Sequence, residues 1–482
     1  MKTITGYLYY PDSLASDGKL TFFMARSEED NVKYLGIMGE NTGRFQGFYE
    51  TGSGALLCPL SPGNAALLRE CLPWLQPQPL GVQLTAGFGD RLGLATPGHI
   101  RAVQNTGIAP IFAQQSVREN ARTRRTPQQV MDDAMWGVFQ CGWRQPWGAD
   151  ADHLKTLEDI DAFFQAGFTF FTIDPGEHVD HAAQHDSLDT LRQKVSTLPW
   201  HDLRSSTWEQ SQLYLNRVFQ VEGREIVFDE FALLRALAKY GRAIAHTLKM
   251  ADHLQKRAQG AGRGFDLEVS VDETDTPTSP LEHFYIASEL KRLGVTCTSL
   301  APRFVGHFEK GVDYIGDLAE FEREFAQHAA IARHFGYRLS LHSGSDKFSI
   351  YQIAARQTNH LVHLKTAGTS YLEALRVVAA VDSVLFRKIL HLATERYETD
   401  RASYHVSAQV ERLPSPHALP DANLPGLLDQ FDARQVFHVT FGATLDRFGP
   451  QVCSVLREHE DSYYETLANH FQKHLQPFEK TA

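Results

Sequence analysis

Groups able to do acid/base or metal chemistry fall at a repeated place in this chain, just after short apolar runs. Asp152, His153 and Lys155 follow one such run as DHLK, and Glu268, Ser270 and Asp272 alternate along a second. Arg303 closes a third, and the loop VGHFEKG behind it brings His307, Glu309 and Lys310. His342 closes a fourth, followed by SGSDK with Lys347, and Lys365 closes a fifth, followed by TAGTS. Imidazole with carboxylate suits a divalent cation (Zn, Mn, Co, Ni or Fe) and leaves positions open for substrate oxygens. His153, His307 and His342 are therefore the metal-ligand candidates, with Glu268 or Asp272 as the carboxylate beside them. The chain has 22 histidines, most of which must be surface or core residues, so a shared location is what sets these three apart.

The run DLEVSVDET puts several carboxylates on or beside one strand, where an unpaired buried carboxylate is costly, so a metal, Lys or Arg partner is implied. Asp266 reads as exposed at the strand start, and Asp272 and Glu273 as caps of the next turn. Glu268 resists that explanation and is the acid/base candidate. The small residues of SGSDKFS and TAGTSYLEA sit at helix starts, where free amide groups attract anions. With Lys155, Arg303, Lys347 and Lys365 nearby, they point to a small anionic substrate, phosphate or carboxylate. Lys365 at a strand end also admits a Schiff-base aldolase. GFGDRLGLATPGH spaces its glycines one residue off the dinucleotide fingerprint, so NAD has no motif in its favour.

Groups so far apart in sequence need a scaffold that gathers strand ends. Between residues 79 and 381 the chain alternates short β-rich runs, turns and helix-period segments, the pattern of a parallel sheet with crossover helices. The strand candidates are 81–87, 108–114, 145–152, 168–174, 265–271, 297–303, 338–344 and 360–366. Eight strands, most of them followed by helices such as 126–140, 281–294 and 318–336, predict an α/β fold of the TIM-type (β/α)8 barrel class, which carries its chemistry at the C-terminal strand ends. The third strand is the weakest, holding Pro146 and Gly148, and an open doubly wound sheet is the alternative. Residues 1–78 read as a β-rich extension with runs LTFFMA, KYLGIMG, FQGFYET and ALLCPL. Residues 175–262 form a helical insertion after the fourth strand, and residues 382–482 a helical C-terminal region packed on the barrel.

The 482 residues carry 47 Lys and Arg against 58 Asp and Glu, a net charge of −11 that argues against a nucleic-acid partner. The one basic cluster, Arg118 to Arg125, reads as a solvated loop. Five scattered cysteines without a CxxC fit a reducing, cytoplasmic setting. No signal peptide is apparent in MKTITGYLYYPDSLASDG, and no apolar run is long enough to span a membrane. The oligomeric state stays open, a homo-oligomer included.

Six stretches together resemble the tagaturonate epimerase family of bacterial hexuronate catabolism: GFGDRLGLATPGHIRA (87–102), DADHLKT (150–156), DLEVSVDETDTPTSPLEHFYIASELKRLGV (266–295), APRFVGHFEKGVDYIGDL (301–318), LHSGSDKFSIY (341–351) and LVHLKTAGTSYLEALR (361–376). The resemblance implies a metal-dependent isomerase acting on a sugar acid, tagaturonate or fructuronate. It further implies Asp152 as proton acceptor, Glu268 as proton donor, and His153, His307 and His342 as ligands of a divalent metal. The two sugars differ at a hydroxyl-bearing carbon two bonds from the ketone carbon, so simple enolisation does not reach it. Retro-aldol cleavage and re-closure would invert that centre, and transient oxidation by tightly held NAD is the alternative route. A related metal-dependent isomerase or aldolase, and a non-catalytic sugar-acid binding protein, are the rival readings.

Overall fold

Eight parallel strands close on themselves, the last pairing with the first through His363 opposite Thr85 and Lys365 opposite Gly87. They are β1 (Thr85–Gly89), β2 (Ala109–Ser116), β3 (Gly148–Leu154), β4 (Phe170–Ile173), β5 (Asp266–Ser270), β6 (Ser299–Ala301), β7 (Arg338–Leu341) and β8 (Val362–Lys365). The computed structural model describes residues 6–50, 53–416 and 418–479. The first five residues of the N-terminal stretch and Thr51, the end of the FQGFYET run, lie outside the described residues.

Local chemistry explains why the helices begin where they do. Thr126, Thr156 and Ser279 each accept from the amide three residues on, while Gln129, Asp159 and Glu282 return a side-chain bond, so three crossover helices open on capping boxes. Pro146 stands ahead of β3 rather than inside it, which removes the objection to that strand. The barrel floor is plugged by Arg338, buried, with its guanidinium on the Gly81 and Gln83 carbonyls. Asp266 is buried there too, against the expectation of an exposed strand start: its carboxylate accepts from the Leu80 and Gly81 amides and pins the segment entering β1.

The N-terminal part is a five-stranded antiparallel sheet. Its first strand, Tyr7–Ser16, has no counterpart among the predicted runs because Pro11 and polar residues break the pattern; it is an edge strand with an irregular register between Tyr10 and Ala15. Between β4 and β5 lie short helices, a hairpin and the 32-residue helix Glu230–Ala261, closed by Gly262 at φ 63°. Helices Ser383–Asp400, Phe431–Val439, Phe441–Glu458 and Glu460–Leu475 form the C-terminal region. The last packs closely on Thr96–Val103, where a Cβ on Gly98 would press on Leu467. The Arg118 to Arg125 cluster is not a solvated loop. Most of it lies on the helix Val117–Thr123 and stitches the C-terminal region down, Arg122 to the Val439 carbonyl and Arg124 to Asp446, while Arg125 reaches Asp133. All five cysteines are free thiols. No described helix is long and apolar enough to cross a membrane.

Candidate active site

At the C-terminal mouth of the barrel an inner chamber of about 30 Å³ opens into a vestibule of about 310 Å³, the two sharing Lys310, His342 and Ser343. Asp152 and His153 both reach the chamber although they are consecutive on β3. On a flat strand they would face opposite sides. The register between β3 and β4 shifts between Ala151 and Leu154, and His153 adopts a left-handed backbone (φ 53°), so an irregularity re-aims the pair. Asp174, at the end of β4, takes the His153 Nδ1–H at 3.1 Å and leaves Nε2 free, 3.9 Å from Asp152. A carboxylate behind an imidazole in this way fixes its tautomer and orientation for metal binding.

Lys365 is the hub. Its ammonium lies 2.6 Å from Asp152, 2.8 Å from Glu268 and 2.9 Å from Asp150, and donates to Thr172 Oγ1 at 2.7 Å. Glu268 is fully buried, bonded to Ser299 Oγ at 2.5 Å and in short contact with His342 Nε2. His342 turns its Nδ1 to Asp272 at 3.2 Å. Burial works to raise Asp152, but Lys365, His153 and His342 outweigh it and hold the carboxyl well below the usual range. Glu268 is likewise held low, by Lys365 and His342 against burial. Burial pushes Asp150 up to about 7, opposed by Lys365 and reinforced by Asp152 and Glu268. Burial would lower His153, yet Asp152, Glu273 and Asp174 hold it up at about 10. Against burial and Lys365, Asp272 and Glu268 hold His342 up at about 9. Lys365 itself is raised, its three carboxylates overcoming burial. That environment opposes the neutral amine a Schiff base needs.

Asp272, Arg303, His307 and Lys310 line the vestibule. Asp272 does not serve as a mere turn cap, since its carboxylate faces His342 and Ser270. The Arg303 Nε is buried without a hydrogen-bond partner. His307 is exposed on its loop, and its ring nitrogens are not among the ligand atoms that cluster with His153 and His342. Lys155 lines neither cavity and is ion-paired with Glu177 at 2.9 Å. Lys347 is not brought to the cavity: it is fully buried, with Nζ on the Glu309, Val312 and Ser345 carbonyls, and burial pushes it down to about 7. The anion position expected at the helix starts is taken by the chain's own Asp346, held by Arg434 at 2.8 Å and His470 at 2.7 Å, within reach of Thr369. The GFGDRLG turn spends its amides on Asp90, which accepts from Leu92, Gly93 and Ala95.

Sequence reading did not single out Asp150, Thr172 or Asp174. Asp150 shares a strand face with Asp152 by simple alternation, and Asp174 ends a predicted strand, so signals for both were present. Asp152, His153 and His342 each offer a ligand atom, all within 4.8 Å of one another. Two imidazoles and a carboxylate, buried or nearly so and braced by Asp174 and Asp272, fit a divalent cation.

A family model described as tagaturonate epimerase, UxaE, matches residues 10–478. A protein of Thermotoga maritima named tagaturonate/fructuronate epimerase is 43% identical over 477 residues, covering 98% of this chain and 96% of that one. The native crystal structure of fructuronate-tagaturonate epimerase UxaE from Cohnella laeviribosi superposes with a TM-score of 0.92 at 40% identity, covering 98% of this chain and 97% of that one. A glycerol complex of the same protein matches with the same score and identity, covering 98% and 96%.

Proposed function

Because this chain belongs to the tagaturonate epimerase family, we propose that it interconverts tagaturonate and fructuronate by retro-aldol cleavage and re-closure at its barrel mouth. The observation that carries this reading is the placement of Asp152 and Glu268 against one ammonium, Lys365, beside two imidazoles. Asp152, held ionised, takes the proton from the hydroxyl on the reacting carbon. The bond to the neighbouring carbon then breaks, leaving an aldehyde on one fragment and an enediolate on the other. The aldehyde turns, the same bond re-forms on its opposite face, and the proton returns to the new hydroxyl. Glu268 exchanges a proton at the ketone end. Lys365 touches both carboxylates and keeps their charges balanced as protons move. His153 and His342 would hold a divalent cation beside Asp152, and the chemistry it would supply when bound is to polarise the ketone oxygen. His307, on its loop, would join that set or meet substrate from the vestibule side.

Deuterium at the inverted carbon separates this route from transient oxidation. Retro-aldol cleavage leaves that C–H bond intact and gives a small secondary isotope effect on turnover. A primary effect there would replace it with hydride transfer.

Arg303, with Lys310, would receive the acid end of the substrate. Arg303→Leu is expected to raise KM about 10- to 100-fold with kcat little changed, since a contact kept throughout the reaction contributes binding alone. Steady-state kinetics in both directions check it; an unchanged KM would remove Arg303 from the substrate site. Metal loading has its own signature. His153 and His342 hold protons at neutral pH and ligate only when neutral, so binding must expel them. Calorimetric titration with Zn²⁺ in buffers of different ionisation heat should show net proton release at pH 7 and affinity rising toward pH 9. Affinity independent of pH would place the cation elsewhere.

A further inference from the structure

Two polar side chains that line the inner chamber carry buried polar atoms without a hydrogen-bond partner. Gln114, on β2, is buried, and neither its Nε2 nor its Oε1 has a hydrogen-bond partner. It stands in register with Asp150, whose carboxylate points inward to Lys365, so its side chain shares that face. Its amide lies over Gly87, where a Cβ would come within 2.6 Å of Oε1. His438, from the C-terminal helix Phe431–Val439, is also buried and enters the same chamber. Its Nε2 sits 3.3 Å from Arg91, and a guanidinium can only donate, so the ring proton is on Nδ1. That Nδ1 has no partner. Burial first, then Arg91 and Lys310, hold the ring neutral. Gly368 makes room for it, since a Cβ there would strike the imidazole.

Buried amides and ring N–H groups without partners are destabilising, and a glycine leaves room for each of these two. Hydroxyl groups carry one donor and two acceptor positions, which an amide and an N–H satisfy together. We propose that Gln114 and His438 are substrate-binding residues, gripping hydroxyl groups of the polyhydroxy acid where it enters the chamber, so that the C-terminal region completes the site. This rests on the reading of the chamber as the sugar-acid site. It gives the two residues a role in orientation, holding the sugar chain in place while the aldehyde turns.

The test uses the full-length, metal-reconstituted protein and its variants Gln114→Met and His438→Met, the latter deleting the Nδ1 donor while its thioether sulfur stays a weak acceptor for Arg91. Melting temperature, turnover of tagaturonate, and tagaturonate binding by calorimetry are read on each. Each variant is expected to melt at or above the wild-type temperature while kcat/KM falls about 10- to 100-fold, the loss of one or two hydrogen bonds to substrate. A melting temperature that falls in step with activity would make the residues structural and overturn the proposal, as would unchanged kcat/KM. Wild type that binds tagaturonate without converting it would sink the epimerase reading alone. Weakened binding in the variants would then still support the two residues, and undiminished binding would overturn them. Wild type that neither binds nor converts the sugar overturns both.

Discussion

Glu268→Gln is expected to slow interconversion of tagaturonate and fructuronate by about 10²- to 10⁴-fold, the share of a positioned acid/base group. The substitution keeps the volume of a fully buried side chain and a hydrogen-bond partner for Ser299 and His342. It removes the charge that Lys365 and His342 hold in place and the capacity to exchange a proton at the ketone end. KM is expected to change little, because Arg303 and Lys310, which would receive the substrate's acid end, are untouched. Steady-state kinetics followed by NMR read both quantities. A variant with near wild-type kcat would take Glu268 out of the chemistry and leave it as a brace for His342.

Lys365→Met acts on a larger unit. It would leave Asp150, Asp152 and Glu268 facing one another in a space where all three are buried. Removing one partner of a buried charge set costs about 3–5 kcal/mol, because the remaining charges lose their compensation. The variant should lose activity below detection, melt at a lower temperature, and regain stability as pH falls and the carboxylates protonate. Sign follows from linkage: with Lys365 gone, folding favours protonated carboxyls, so the folded state binds more protons than the unfolded one and stability rises on acidification. Thermal melts between pH 5 and 8 test it. A melting temperature equal to wild type at every pH would mean that Lys365 is not the keystone of the cluster.

Strand ends were the legible part of the site. His342 and Lys365 stand at or beside ends of runs whose apolar character and turn signals mark them as strands, with Glu268 within another, and the barrel brings those ends together. Alternation on β5 also put Glu268 and Ser270 on one face. Period-2 reasoning cannot place Asp152 and His153 in the same chamber, because the irregularity of β3 breaks the alternation it relies on. The role of Lys347 was illegible for a different reason. Its position after β7 matches a phosphate-binding lysine, but three carbonyls from two loops claim its ammonium, and only the folded chain brings them together. The same holds for the C-terminal region. His438, His470 and Arg434 act through contacts with residues tens to hundreds of positions away, and helix periodicity shows only that they lie on helices. The first strand escaped because an edge tolerates proline and leaves no alternating pattern to find.

Family membership and barrel geometry meet in one assay. Metal-reconstituted wild-type protein is incubated separately with tagaturonate and with fructuronate, and the proton signals of the inverted carbon are followed by NMR. The two samples should converge on the same mixture, and a chelator added at the start should hold each unchanged. Two sugars that persist apart, with metal present and the protein folded, would contradict the assignment.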